Sequence, residues 1–202
     1  PSLVGSEMCI RDSLGGAVTS SIARSVGAGD TIRAEKLLWH SLLIASCGAV
    51  VFLLAFLLGG ESLLKILGGK GPLLEESLSY CMIFLTGGIL IWLSGSLSAA
   101  LRGMGNMRYP AMLMSISSGM QVILSGGFIL GWFGFPKLGI AGAAVSALAS
   151  GGFMSLMMFL KLSSSSSKIN LRISRFSFEK ELFKDILDVF LPASLAPVFT
   201  AV

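Results

Sequence analysis

Charge is what this chain has least of. Only 13% of its 202 residues are Asp, Glu, Lys or Arg, about half the share usual in soluble domains. The shortage is concentrated, because residues 37–58, 80–101, 111–135 and 138–160 hold no ionic side chain at all. Histidine occurs once and cysteine three times, with no spacing that would gather metal ligands. Cys47 and Cys81 fall in or at the edge of apolar runs and read as small packing residues. No nucleophile lies beside a base and no carboxylates pair, so acid–base enzyme chemistry has no candidate residues. Glycines cluster in "ARSVGAGD" and "LRGMGNMRYP". Neither stretch follows a strand or carries the Lys-Ser/Thr ending of a phosphate-binding loop. An ATP-driven pump is unsupported, and no cofactor is expected.

What is present is apolar: 53% of the residues are hydrophobic and the mean hydropathy is +0.83. Each ion-free run is at least as long as the roughly 20 residues a helix needs to cross about 30 Å of hydrocarbon. The expected fold is all-α, a polytopic helical membrane protein with four complete spans and two partial ones. The partial spans are residues 14–23 and 186–202. A half-helix would strand its backbone groups in lipid, so the chain reads as an internal piece of something longer.

The connections alternate in charge. Residues 24–36, 102–110 and 161–185 together hold eleven basic residues, against Lys65, Lys70 and Lys137 in 59–79 and 136–137. Basic connections stay in the cytoplasm, which places the chain in the plasma (bacterial inner) membrane with lipid as its first partner. The net charge of +4 therefore reads as orientation and not as nucleic-acid binding. "KLSSSSSK" reads as a flexible linker. Beyond it Phe178, Leu182 and Ile186 recur every four residues, as in an amphipathic helix lying on the inner surface. Residues 161–185 thus form a cytoplasmic linker before the last, partial span, in which Pro192 and Pro197 would bend the helix.

Polar residues inside the spans are few enough to weigh singly. Ser117, Gln121 and Ser125 follow one another at four-residue spacing, bordered by Ser115 and Ser118. An unpaired amide in hydrocarbon costs several kcal/mol, so Gln121 faces either another helix or water. The stripe is either an interhelical hydrogen-bonding face or the wall of a hydrated substrate pathway. Trp92, midway along its run, is a second pathway candidate beside a packing role. His40 stands alone, one turn inside its run, as an interfacial polar residue. Gly139, Ala143, Ala147 and Gly151 form a small-residue ridge for close helix packing. Gly27 and Gly29 can take the left-handed backbone that ends a helix, Asp30 can cap the next one, and Pro110 suits a helix start.

The basic connections are also specific. "SSIARSVGAGDTIRAEKLLWHSLLIA" resembles the link between the second and third helices of the multidrug and toxic compound extrusion (MATE) family. "LSAALRGMGNMRYPAMLMSISS" resembles the link between its fourth and fifth helices, "GIAGAAVSALAS" its sixth and "LPASLAPVF" the start of its seventh. The likeness runs from about Leu14 to the end. It implies most of the first six-helix lobe, at residues 14–160, and the entry to the second lobe at 186–202. It also implies efflux of drugs or cationic or amphipathic organic compounds in exchange for Na+ or H+, by alternating access. The motif residues Arg24, Gly27, Gly29, Asp30, Arg102, Gly103, Gly105 and Arg108 would then sit in loops that close the cytoplasmic side.

The sequence departs from the family in its fifth helix. Many members carry an Asn and, four residues later, an Asp there, where this chain has Gln121 and Ser125. The family's first helix, which bears an acidic residue in many members, has no counterpart in these residues. A related architecture, a flippase for lipid-linked oligosaccharides, is the alternative; it would need a cationic cleft, and no Lys or Arg lies inside a complete span. Residues 1–13, "PSLVGSEMCIRDS", have their charges in the wrong order for a signal peptide. They resemble the translation of a transposase-type sequencing-library adapter and are set aside as foreign.

Overall fold

In hydrocarbon a backbone N–H or C=O has no water to bond, so a spanning segment must satisfy its own groups as a helix. The computed structural model follows that rule. It describes residues 3–131, 134, 136–164 and 184, with side chains from Gly15 onward. The described elements are six helices in the order α1 (Leu3–Gly27), α2 (Thr31–Ile66), α3 (Pro72–Thr86), α4 (Gly88–Gly103), α5 (Arg108–Leu130) and α6 (Ile140–Ser163). Three of them, α2, α5 and α6, are long and apolar enough to cross a membrane, and α3 with α4 makes a fourth span if the bent pair is one crossing.

The boundaries differ from the expected ones for local reasons. Helix α1 reaches back to Leu3, so its backbone runs without a break through the segment set aside as foreign; once nucleated, each further residue adds one hydrogen bond. Helix α2 continues past Leu58 to Ile66, and the pair Glu61 and Lys65, 2.6 Å apart, decorates this polar extension. The run 80–101 is not one helix: α3 and α4 meet at Gly87 with a bend of 46°. Helix α5 stops at Leu130 and not at 135, because Gly131 takes the left-handed conformation at φ 74°. The Leu138 N–H then reaches the Phe128 carbonyl at 2.9 Å and closes the turn into α6. Most of 161–185 and all of 186–202 lie outside the described residues, and with them the amphipathic helix and the last partial span.

Two of the basic connections are built alike. In each, a glycine at φ 79° or 83° (Gly29, Gly105) ends a helix. The Gly29 and Asp30 N–H groups bond back to Val26 and Ser25 carbonyls at 3.1 and 3.0 Å, and Gly105 and Asn106 bond to Arg102 and Leu101 at 2.9 and 3.0 Å. This is the Schellman pattern. The next side chain then caps the following helix: Asp30 Oδ1 accepts from Arg33 N at 2.9 Å and Asn106 Oδ1 from Tyr109 N at 3.2 Å. Gly27, expected to be left-handed, remains helical, and Gly29 alone makes the turn. Pro110 falls in the first turn of α5, where its missing N–H had no intrahelical partner to lose.

Helix α4 is central, packing on α1, α2 and α6, while α5 packs chiefly on α6. The buried core, with Ile22, Leu38, Leu101, Leu113, Met158 and Leu162 among its members, gathers where α1, α4 and α6 end and α2 and α5 begin. That is the basic end of the bundle. Tyr109 Oη donates to the Met157 carbonyl at 3.2 Å there, and Lys161 Nζ stands 5.7 Å from the Tyr109 ring centre. Towards the opposite end large apolar side chains face outward, as with Leu58 at 91% exposure, which is the surface hydrocarbon covers. His40 is wholly buried, and its Nδ1 donates to the Lys36 carbonyl at 2.7 Å.

Candidate functional site

Helices α4 and α6 form the floor of a cleft whose walls are α1 and α5, a space of about 990 Å³. Each helix contributes a stripe at three- and four-residue spacing, and the stripes are rich in small residues, such as Gly15, Thr19 and Ala23 on α1 or Ser94, Gly95 and Ser98 on α4, with Ile91, Met114 and Met154 among them. Small side chains let helices approach closely, and where no helix covers them they leave a hollow. Gly103 shows how tight the approach is. A Cβ there would stand 2.8 Å from the Thr19 carbonyl oxygen and 3.0 Å from Ile22 Cβ. On α6 the closest approach is at Gly142, against the Phe128 backbone at 2.9 Å, and not along the whole expected ridge; Ala147 and Gly151 of that ridge line the cleft.

The hydroxyls of the cleft are mostly committed as donors. Ser94 Oγ donates to the Ile91 carbonyl at 2.7 Å, and Ser150 Oγ to Ala147 at 3.1 Å. Thr19 Oγ1 shares its proton between Gly15 and Ala99 carbonyls at 2.8 and 3.1 Å. Ser117 Oγ crosses from α5 to α6 and donates to the Ser150 carbonyl at 3.0 Å. A hydroxyl whose proton is already given can only accept from a ligand. The middle of the cleft therefore presents oxygen lone pairs. No carboxylate lines it among the described residues.

The structure sorts the sequence candidates. Ser117 and Gln121 line the cleft together with Ser118. Ser117 makes an interhelical hydrogen bond and also lines the cleft. Ser125 lies in an adjoining shallower hollow of about 520 Å³ with Gln121. Trp92 is not brought to the cleft. Its ring sits over Gly48, where an added Cβ would meet it at 2.7 Å, and 5.5 Å from the Phe52 ring, so it is a packing residue between α4 and α2. Arg24, Asp30 and Arg108 remain at the connections, where Arg24 Nη2 donates to Ser21 Oγ at 3.3 Å. Arg102 departs from its expected place in a closing loop: its side chain lines the cleft. Spacing had a signal for this, since Ser94, Ser98 and Arg102 recur every four residues on one face of α4.

Helices of membrane-spanning length, an apolar core at one end and a hydroxylated cleft beside it define a multi-pass membrane protein. The family model named MatE matches residues 8–126. The chain belongs to the MatE family. It is 31% identical over 142 residues to "Probable multidrug resistance protein NorM" of Thermotoga maritima, covering 70% of this chain and 30% of that protein. It is 31% identical over 144 residues to "FAD transporter" of Shewanella oneidensis, covering 68% of this chain and 30% of that protein. Among solved structures, an inward-facing multidrug resistance MATE family transporter matches with a TM-score of 0.83 at 30% identity, over 95% of this chain and 43% of that one. An outward-facing one matches with a TM-score of 0.82 at 29% identity, over 96% and 42%. The chain thus spans less than half the length of the proteins it resembles.

Proposed function

We propose that the complete protein is a secondary active exporter of drugs or other organic molecules in the plasma membrane, driven by exchange with Na+ or H+. It works by alternating access, two lobes rocking about a site between them. The observation that carries this reading is the hydroxylated cleft on one face of the lobe. Family membership supports it, as does the nearly equal match of this lobe to inward- and outward-facing structures. Such an even match is what a lobe moving as a rigid body would give. Within this lobe a coupling ion would be met by hydroxyl oxygens such as those of Ser94, Ser117 and Ser150.

One relative is named for multidrug resistance and another for FAD transport, so membership leaves the cargo open. A second reading, a flippase for lipid-linked oligosaccharides, gains from Arg102, a cation lining the cleft. Cells expressing the full-length protein should expel ethidium faster than controls, and collapse of either the Na+ or the proton gradient should stop them. Absence of efflux under both gradients would sink the exporter reading. Movement of a fluorescent lipid-linked pyrophosphate across vesicles without any gradient would favour the flippase.

A further inference from the structure

We infer that Arg102, with Ser98, forms an anion-binding subsite in the cleft, and that the cargo carries a phosphate or carboxylate group. The inference rests on the transporter reading of this cleft and narrows its substrate class.

Depth is the first argument. Helix α4 ends at Gly103 against Thr19 and Ile22, short of the α1 terminus at Gly27. The Arg102 side chain then reaches farther in, with Nη2 3.8 Å from where a Cβ on Gly15 would stand. Gly15 and Gly27 are twelve residues apart on α1, about 18 Å at the helical rise. The Arg102 side chain, exposed to the open groove, therefore lies along its wall level with Gly15 and not among the loop residues.

Lack of a partner is the second. Among the described residues Arg102 makes no hydrogen bond and no ion pair, although Arg24, at the end of α1, has found Ser21. One turn deeper on the same stripe, Ser98 is 4% exposed and lines the cleft. Unlike Ser94 or Ser150, its hydroxyl donates to no carbonyl among the described residues, so its proton is available. A guanidinium fork beside a free hydroxyl donor is the donor set that phosphate and carboxylate oxygens need. The lone pairs deeper in the cleft, on Ser94, Ser117 and Ser150, would accept from N–H or O–H groups on the rest of the same molecule. The space, about 990 Å³ in this lobe alone, suits a cargo of nucleotide or drug size.

The test is equilibrium binding to the full-length protein in nanodiscs, so loss of transport activity would bear on the exporter reading and not on this one. The probes are a fluorescent nucleoside diphosphate and the cation ethidium. Arg102→Ala should weaken the diphosphate by about tenfold or more and leave ethidium unchanged or tighter. Arg102→Lys, which keeps the charge without the fork, should fall between, and Ser98→Ala should give a smaller, selective loss. Should Arg102→Ala fail to fold, Arg102→Lys and the displacement of the diphosphate from unmodified protein by inorganic pyrophosphate carry the decision. Nanodiscs of phosphatidylcholine with and without phosphatidylglycerol separate a soluble anion from a lipid headgroup, since a site for headgroups would bind the diphosphate more weakly in the discs that contain phosphatidylglycerol. Equal diphosphate affinity in the unmodified and Arg102→Ala proteins, or indifference to pyrophosphate, would overturn the subsite.

Discussion

Glycine sets the width of this lobe one position at a time, and the positions are not equivalent. Gly103 is closed by the Thr19 carbonyl and Ile22, while Gly119 has nothing within 4 Å. Gly103→Ala must therefore push α1 and α4 apart, an overpacking that costs about 1–3 kcal/mol, and should lower the thermal unfolding midpoint of the full-length protein. Gly119→Ala should leave it unchanged. Substitution separates the packing role of Ser117 from a role in the pathway. Ser117→Ala loses the bond to the Ser150 carbonyl, worth about 0.6 kcal/mol in a membrane, whereas Ser150→Ala keeps that carbonyl. If the Ser117 oxygen also meets cargo or ion, Ser117→Ala should slow ethidium efflux far more than its small stability cost accounts for. Normal efflux would confine Ser117 to packing.

Elements owe their limits to single residues, and the two basic connections repeat one solution. Asp30 and Asn106 each cap a helix just after a left-handed glycine. Asp30→Ala should cost about 1 kcal/mol and Asp30→Asn much less, read as the shift in denaturation of the full-length protein. The bend at Gly87 is a different matter. The run 80–101 has the length and apolarity of one span, and no proline interrupts it. Its break depends on neighbours: Gly87 packs beneath Leu148 of α6, and α3 buries no residue fully while α4 is surrounded. A sequence pattern carries no record of that asymmetry.

At the scale of the molecule the lobe is closed at its basic end and open along one face. Cysteines placed at Thr31 or Met107, in a protein without its native cysteines, should react with an impermeant thiol reagent only from the cytoplasm. A cysteine at Lys70 should react only from outside. Labelling of all three from one side would refute the orientation. Residues 14–202 alone should give no ion-dependent ethidium efflux, because a cleft with one wall missing cannot alternate between two openings. Robust efflux from that fragment would show that one lobe suffices.

The helical class, the apolar runs, the alternation of basic connections and the family resemblance were all determined by sequence, because hydrocarbon excludes charge and demands helices whatever the neighbours are. The caps at Asp30 and the stop near Gly29 were legible for a similar reason: they are settled by residues three or four positions apart. Which way a side chain leans was not. Trp92 and Arg102 stand two to three turns apart on α4; spacing put Arg102 on the face of Ser94 and Ser98, but only the packing of α4 against α2 at Gly48 and against α1 at Gly103 sends Trp92 into a helix contact and the Arg102 side chain along the cleft. His40 likewise became a core residue because several helix ends converge around it. Tertiary structure decides these cases because burial is a property of a place in space, and sequence spacing specifies only a face.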